Sequence, residues 1–86
     1  MYEITLSILA EKQLKKLNKE LRKRIISTLE RCRIRPYSYV KRIVGSEYFS
    51  LRTGDYRIIL DVKNNELRIF VIEIGHRKKI YKGFKN

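Results

Sequence analysis

The 86 residues contain one cysteine, one proline, one histidine and one glutamine. A lone Cys32 closes no intrachain disulfide and builds no cysteine-based metal site. It falls within a helical pattern, where a thiol fills core volume. No Ser-His-Asp arrangement, paired-carboxylate motif, metal-ligand cluster or Gly-rich phosphate loop is present, so neither a metal nor a cofactor is expected. No apolar run approaches the ~18 residues of a membrane span. The chain does not open on a basic segment followed by an apolar one, so no secretory signal is expected and the default location is cytoplasmic. Acidic residues are scarce: nine Asp and Glu face 21 Lys and Arg, a net charge of +12. The excess is spread along the chain, with ten basic residues before Pro36 and eleven after it. Such a field favours polyanions, meaning nucleic acid, an anionic membrane or an acidic protein. With nucleic acid, binding would depend strongly on salt.

What is present is a foldable domain. A hydrophobic fraction of 43% excludes a disordered basic tail. The length allows one core, so residues 1–86 are read as a single domain. Abundant Ile, Lys, Arg and Glu with a single Gln13 resemble thermophile compositions.

Alternation of Tyr2, Ile4 and Leu6 with Glu3 and Thr5 predicts a short strand. Ser7 is placed to cap a helix, and Ala10, Leu14 and Leu17 recur at helical spacing. Asn18 reads as a break and a second cap. Leu21, Ile25, Leu29 and Cys32 continue a second stripe. The expectation is a helical hairpin over residues 7–17 and 19–33, ended by Arg35-Pro36. A short strand at 40–44, a turn at Gly45-Ser46, and strands at 47–52, 55–63 and 66–74 follow, joined by turns at Thr53-Gly54 and Asn64-Asn65. Asn-Asn suits the positive φ of a tight hairpin turn. The predicted fold class is α+β, in the order β-α-α-β-β-β. It is an antiparallel sheet with the N-terminal helical hairpin packed on one face.

Strand parity locates a candidate surface. Phe49 and Leu51 share one face, and Ile58, Leu60 and Val62 share one; these belong under the helices. Tyr48, Ser50, Arg52 and Arg57 are then expected on the open face. The strand 66–74 is apolar on both faces, so it is read as central with its faces unassigned. Arginine matches phosphate oxygens with paired donors, and tyrosine stacks on bases. A solvated antiparallel face also carries scattered Arg and Tyr, and the net charge tilts the balance toward RNA. The C-terminal segment from His76 to Lys82 adds Arg77, Lys78, Lys79 and Tyr81. Its Ile80 and Tyr81 suggest docking back on the sheet. His76 is the sole side chain that titrates near neutrality when unperturbed.

In order and spacing, the hairpin residues Ala10, Leu14 and Leu17, then Pro36, Leu51-Arg52, Gly54-Asp55-Tyr56-Arg57, Gly75-His76-Arg77 and Tyr81 resemble the RelE family. That family lies within the RelE/ParE superfamily of bacterial and archaeal toxin–antitoxin toxins, and the composition points to an archaeal or thermophile member. The resemblance spans nearly the whole chain. It implies a ribosome-dependent endoribonuclease that cuts mRNA in the A site, without metal, using the substrate 2′-OH as nucleophile. By resemblance, Arg57 contacts the scissile phosphate, Arg77 stabilises charge or protonates the leaving group, and Tyr81 orients the nucleotide. Bacterial members carry two lysines on the strand before the glycine turn. Tyr48 and Ser50 stand there in this chain, which leaves the proton acceptor unassigned among Arg52, Lys41, His76 and Lys78. The expected catalytic set is Arg57, Arg77, Tyr81 and His76. The expected RNA-binding set is Lys41, Arg42, Tyr48, Ser50, Arg52, Lys78 and Lys79. The implied partners are an acidic RelB-like antitoxin, the ribosome and mRNA, with operator DNA reached only through the antitoxin complex and no membrane. Two other readings stay open: a ParE-like gyrase inhibitor, and a non-enzymatic ribosome- or RNA-binding module.

Overall fold

Two polar side chains set the helical hairpin. The Ser7 hydroxyl accepts from the Ala10 N–H at 2.9 Å, starting α1 (Ile8–Lys16). The Asn18 carboxamide oxygen accepts from the Leu21 N–H at 2.9 Å, starting α2 (Lys19–Cys32). Each satisfies a backbone donor that has no partner inside its helix. The chain then leaves the helix at a single 3₁₀ turn, Pro36–Ser38, with Pro36 buried.

The structure is a computed structural model and describes residues 1–80. Its strands are β1 (Glu3–Leu6), β2 (Lys41–Arg42), β3 (Phe49–Thr53), β4 (Tyr56–Lys63) and β5 (Arg68–His76), followed by a single-turn α3 (Arg77–Ile80). They form one five-stranded sheet in the order β1-β5-β4-β3-β2. The α+β class and the helical hairpin agree with the sequence reading. The antiparallel sheet does not: β1 runs parallel to β5, pairing Glu3 with Arg68 and Leu6 with Val71. The sheet is therefore mixed. Residue alternation reports which face a strand buries, not the direction of its neighbour. A parallel partner needs a long connection, and here both long helices and three strands lie between β1 and β5.

Both helices pack on one side of the sheet, α1 against β5 and α2 against β3. The core beneath them is built from Ala10, Leu14, Ile25, Leu29 and Cys32 on the helices. Leu51, Ile58, Leu60, Val62, Ile69, Val71 and Ile74 meet them from the sheet. The other side of the sheet is the open face. No helix among the described residues is long and apolar enough to cross a membrane.

One irregularity decides what the open face carries. Ile59 pairs with Glu73, but the next residue, Leu60, pairs with Val71. Ile72 is thus an extra residue in β5, a β-bulge. Before it, odd-numbered Ile69 and Val71 point to the core; after it, even-numbered Ile74 does. This explains why β5 is apolar on both parities. Beyond Val71, β5 outruns β1, and the side chains of Ser7, which caps α1, and of Gln13 within α1 satisfy its edge. The Ser7 hydroxyl donates to the Ile72 carbonyl at 2.7 Å, and the Gln13 side-chain oxygen accepts from the Ile74 N–H at 2.6 Å.

The β4–β5 connection also departs from expectation. Asn64–Glu66 form a 3₁₀ turn, and the positive φ falls on Leu67, at 51°. Asn64 instead anchors two tyrosines. Its side-chain oxygen accepts from the hydroxyls of Tyr2 and Tyr37, each at 2.9 Å.

Candidate active site

The open face is built row by row from the strand register. Lys41 on β2 pairs with Ser50 on β3. Ser50 pairs with Ile59 on β4, and Ile59 pairs with Glu73 on β5. The next row sets Arg52 opposite Arg57 and Arg57 opposite Gly75. Partners across a ladder point to the same side, so Lys41, Ser50, Ile59, Glu73, Arg52 and Arg57 share the open face. Ile59 is fully buried yet stands apart from the core cluster under the helices. It forms an apolar base on which the polar residues stand.

Between β2, β3 and β4 lies a pocket of about 160 Å³ lined by Tyr39, Lys41, Ser50, Arg52 and Arg57. Ser50 is buried and Arg57 half-buried, while Lys41 and Arg52 are exposed. No carboxylate lines this pocket, so its lining brings an anion three cationic side chains and the hydroxyl-bearing Ser50 and Tyr39. The tight β3–β4 turn that sets Arg52 against Arg57 depends on Gly54, at φ +58°, where a side chain would be strained. The Arg52 guanidinium Nε donates to the Gly54 carbonyl at 3.3 Å. Among the described residues, no three His, Cys, Asp or Glu side chains gather as a metal-ligand set.

The expected residues divide clearly. Lys41, Ser50, Arg52 and Arg57 come together at the pocket. Tyr48 stands just before β3, its carbonyl accepting the Ile43 N–H at 3.0 Å. Arg42 pairs with Phe49, hence on the helix side of the sheet; its Nε donates to the Ser46 carbonyl at 3.2 Å. Expected among the RNA-binding residues, it stands on the other side of the sheet from the pocket, because neighbouring strand residues alternate faces. His76 is displaced for the same reason. It lies in β5 rather than in a turn after it, and it pairs with Tyr56. The two rings meet edge to face at 5.6 Å, on the side opposite Arg57. The His76 Nδ1 accepts from the Lys78 N–H at 3.3 Å. Arg77 opens α3, and its N–H donates to the Asp55 carbonyl at 2.9 Å. That bond ties the end of β5 to the β3–β4 turn. Arg77, Lys78 and Lys79 are all exposed. Tyr81 lies outside the described residues.

Two residues at this face were not singled out by sequence. Tyr39 reaches the pocket because the buried Pro36 nucleates the preceding 3₁₀ turn, with the Tyr39 N–H donating to the Pro36 carbonyl at 3.0 Å. Nothing periodic marks a residue in such a connection. Glu73 would fall on the core parity of Ile69 and Val71 but for the bulge, which turns it to the open face. An acidic residue breaking an otherwise apolar parity was the available signal. Among the described residues Glu73 makes no ion pair, whereas Asp61 is held by Lys63 at 3.3 Å. Glu3 and Glu66 lie 3.8 and 4.0 Å from Arg68.

Comparison with known proteins gives this geometry a family. Residues 4–81 match the family described as ParE toxin of type II toxin-antitoxin system, parDE. No curated protein matches the chain. Among solved structures, the RelB-RelE antitoxin-toxin complex from Methanococcus jannaschii is similar at 30% identity. That match covers 92% of this chain and 96% of that one, with a TM-score of 0.70. The archaeal RelE-RelB complex from Pyrococcus horikoshii OT3 is similar at 21% identity, covering 91% and 97%, with a TM-score of 0.79. A RelBE2 toxin-antitoxin complex from Mycobacterium tuberculosis is similar at 20% identity, covering 88% and 98%, again with a TM-score of 0.79. At such identities the last two establish the fold alone. The family match over nearly the full chain and the 30%-identical relative together place this protein in the RelE/ParE family of toxins of type II toxin–antitoxin systems.

Proposed function

We propose that this toxin is a ribosome-dependent endoribonuclease that cuts mRNA in the ribosomal A site, acts in the cytoplasm and so arrests translation. One observation carries the reading: Lys41, Ser50, Arg52 and Arg57 meet Tyr39 around one pocket on the sheet face opposite the helices α1 and α2. That set suits a phosphodiester flanked by a base. The guanidinium groups stabilise charge that gathers on the phosphorus oxygens, and a fixed cation in a partly desolvated site does this most effectively. Tyr39, 45% exposed, stacks on a neighbouring base. Lys78 and Lys79 hold backbone phosphates at the rim.

The reaction is an internal transesterification and needs no metal. The 2′-OH loses its proton to the Glu73 carboxylate, and its oxygen attacks phosphorus. The bond from phosphorus to the 5′-oxygen breaks, and that oxygen takes up a proton. The products are a 2′,3′-cyclic phosphate and a 5′-OH. Glu73 supplies the proton acceptor that Tyr48 and Ser50 cannot. Arg77 assists the leaving oxygen, and Tyr81 orients the nucleotide, as the family resemblance implies. General-base assistance contributes on the order of 10²–10⁴-fold. Alignment of the message by the ribosome contributes much of the remainder.

The same reading supplies an acidic RelB-like antitoxin as partner, since the solved relatives are toxin–antitoxin complexes and the surface carries +12. Operator DNA is contacted only through that complex. The description of the matched family as ParE favours a second reading, gyrase poisoning by protein contact alone. Primer extension on mRNA in a translating extract separates the two. Wild type gives A-site cuts, and an Arg57→Ala, Arg77→Ala variant gives none. Equal cutting by both, or gyrase-dependent DNA breaks with intact mRNA, defeats the proposed reading.

A further inference from the structure

His76 takes no part in the open face, but it adjoins an element that carries Arg77. It is half-buried, ends β5 and lies directly before the single turn α3. Its Nδ1 accepts from the Lys78 N–H at 3.3 Å. This is the arrangement of a helix cap, in which the second N–H of the helix donates to the side chain of the residue before it. An imidazole nitrogen accepts only when it carries no proton, so the bond requires the neutral ring with its hydrogen on Nε2. The ring is held edge to face against Tyr56 at 5.6 Å, and Tyr56 packs on the core. One helical turn does not hold itself in water. The Arg77 N–H ties the start of α3 to the Asp55 carbonyl at 2.9 Å, and the turn packs against β5 and β4. Arg77, Lys78 and Lys79 crowd it with positive charge, at the end where the helix dipole disfavours cations.

We infer that neutral His76 is the cap that seats α3 and so positions Arg77, and that protonation of the ring unseats it. A protonated Nδ1 is a donor facing the Lys78 donor, and it adds one more cation to the same turn. An imidazole takes up that proton between about pH 8 and pH 5. The charged groups around the ring come from several elements. α3 contributes Arg77, Lys78 and Lys79. β4 sets Tyr56 opposite His76, and Asp55 lies in the turn before it. α1, which packs along β5, carries Glu11, Lys12, Lys15 and Lys16. On α2, Lys23 and Arg24 border Thr53, the cross-strand partner of Tyr56, with Glu20 beside them. Among the described residues none of these carboxylates pairs with His76, so a charged ring meets no counter-charge there. α3 is therefore seated at alkaline pH and loosens as the pH falls. Loss of a side-chain cap lowers the seated population of a short helix about fivefold. The inference rests on the proposed function only in what α3 carries: there Arg77 assists the leaving oxygen, so acid should slow cutting. The cap itself requires neither ribosome nor cleavage.

The test begins with the purified chain. Nitrogen NMR from about pH 8 to about pH 5 follows the His76 ring and the Lys78 amide together. At the alkaline end Nδ1 should carry no hydrogen. The Lys78 amide should shift with the same midpoint as the ring, and its protection from hydrogen exchange should fall about fivefold in acid. His76→Asn supplies a capping oxygen that does not titrate, and should hold that protection across the range. His76→Phe keeps a ring against Tyr56 without an acceptor, and should lack the protection at every pH. A second arm measures single-turnover A-site cutting on purified, programmed ribosomes between about pH 8 and about pH 6. The ratio of acid to alkaline rates should be about fivefold lower in wild type than in His76→Asn. Glu73 is present in both, so its own titration cancels from that comparison. A Lys78 amide that ignores titration of the ring overturns the inference. So do Asn and Phe variants with equal protection. A pH-dependent cap in the free chain, with no cutting by wild type, upholds the cap and defeats the nuclease reading. Cutting by wild type with an unresponsive Lys78 amide does the reverse.

Discussion

Arg52 and Arg57 are direct cross-strand partners on the open face, two like charges set opposite each other in neighbouring strands. A sheet gains nothing from such a pair, because like charges directly opposite repel. The pairing suits an anion that bridges them. Exchanging Arg52 for Gln should therefore separate stability from activity. Urea unfolding at low salt should move to higher denaturant, a gain of about 0.2–1 kcal/mol, and the gain should shrink as salt screens the repulsion. A-site cutting should fall in the same variant. Lower stability together with unchanged cutting would show that the pair serves the fold instead.

Glu73 reaches the open face only because Ile72 is an extra residue in β5. Its half-buried carboxylate has no ion-pair partner among the described residues. Exchange for Gln preserves volume and removes the carboxylate proposed as proton acceptor. Single-turnover cutting should slow by roughly 10²–10⁴-fold, while the unfolding midpoint and RNA affinity stay near wild type. An unchanged rate would return the proton acceptor to Lys41 or the ribosome.

What was legible in the sequence follows from what each signal encodes. Helical spacing and the caps Ser7 and Asn18 are local, so the hairpin could be read directly. Alternation in β3 and β4 placed Ser50, Arg52 and Arg57 correctly, because those strands are regular. The bulge at Ile72 is a property of pairing between strands, invisible in either strand alone; it hid the faces of β5 and with them Glu73. The parallel pairing of β1 with β5 is likewise non-local. His76 was misplaced because β5 extends two residues further than its apolar run. Tyr39 was missed because its position depends on how the turn at Pro36 lies against the sheet.

Leu67 occupies the left-handed region at φ 51° and is 51% exposed. For a branched side chain that backbone costs about 1–2 kcal/mol, and little apolar burial offsets it. The turn residues Asn64 and Asn65 do not take this conformation. Asn64 is held by the Tyr2 and Tyr37 hydroxyls. Leu67→Gly should thus stabilise the protein by about 1 kcal/mol despite the greater chain freedom of glycine. Chemical denaturation is the measurement. A loss of similar size would mean that the Leu67 side chain contributes more packing than its exposure suggests.

Cys32 is fully buried under the helices, and burial pushes its thiol up from 9.0 to about 11. The neutral thiol is the form the core accepts. Below pH 9 both folded and unfolded chains hold the proton, and the full stability is present. Between pH 9 and 11 the unfolded chain releases its proton while the folded one retains it, so rising pH favours unfolding. The loss reaches about 2 kcal/mol by pH 11. Cys32→Ala leaves a small cavity and should cost on the order of 1 kcal/mol at neutral pH, but it removes this titration. The stability curves of the two proteins should therefore cross between pH 9 and 11, with the alanine variant more stable at the alkaline end. In the folded wild type at pH 8, the thiol should resist alkylation until denaturant is added. Parallel curves, or rapid labelling of the folded protein, would place Cys32 in contact with solvent.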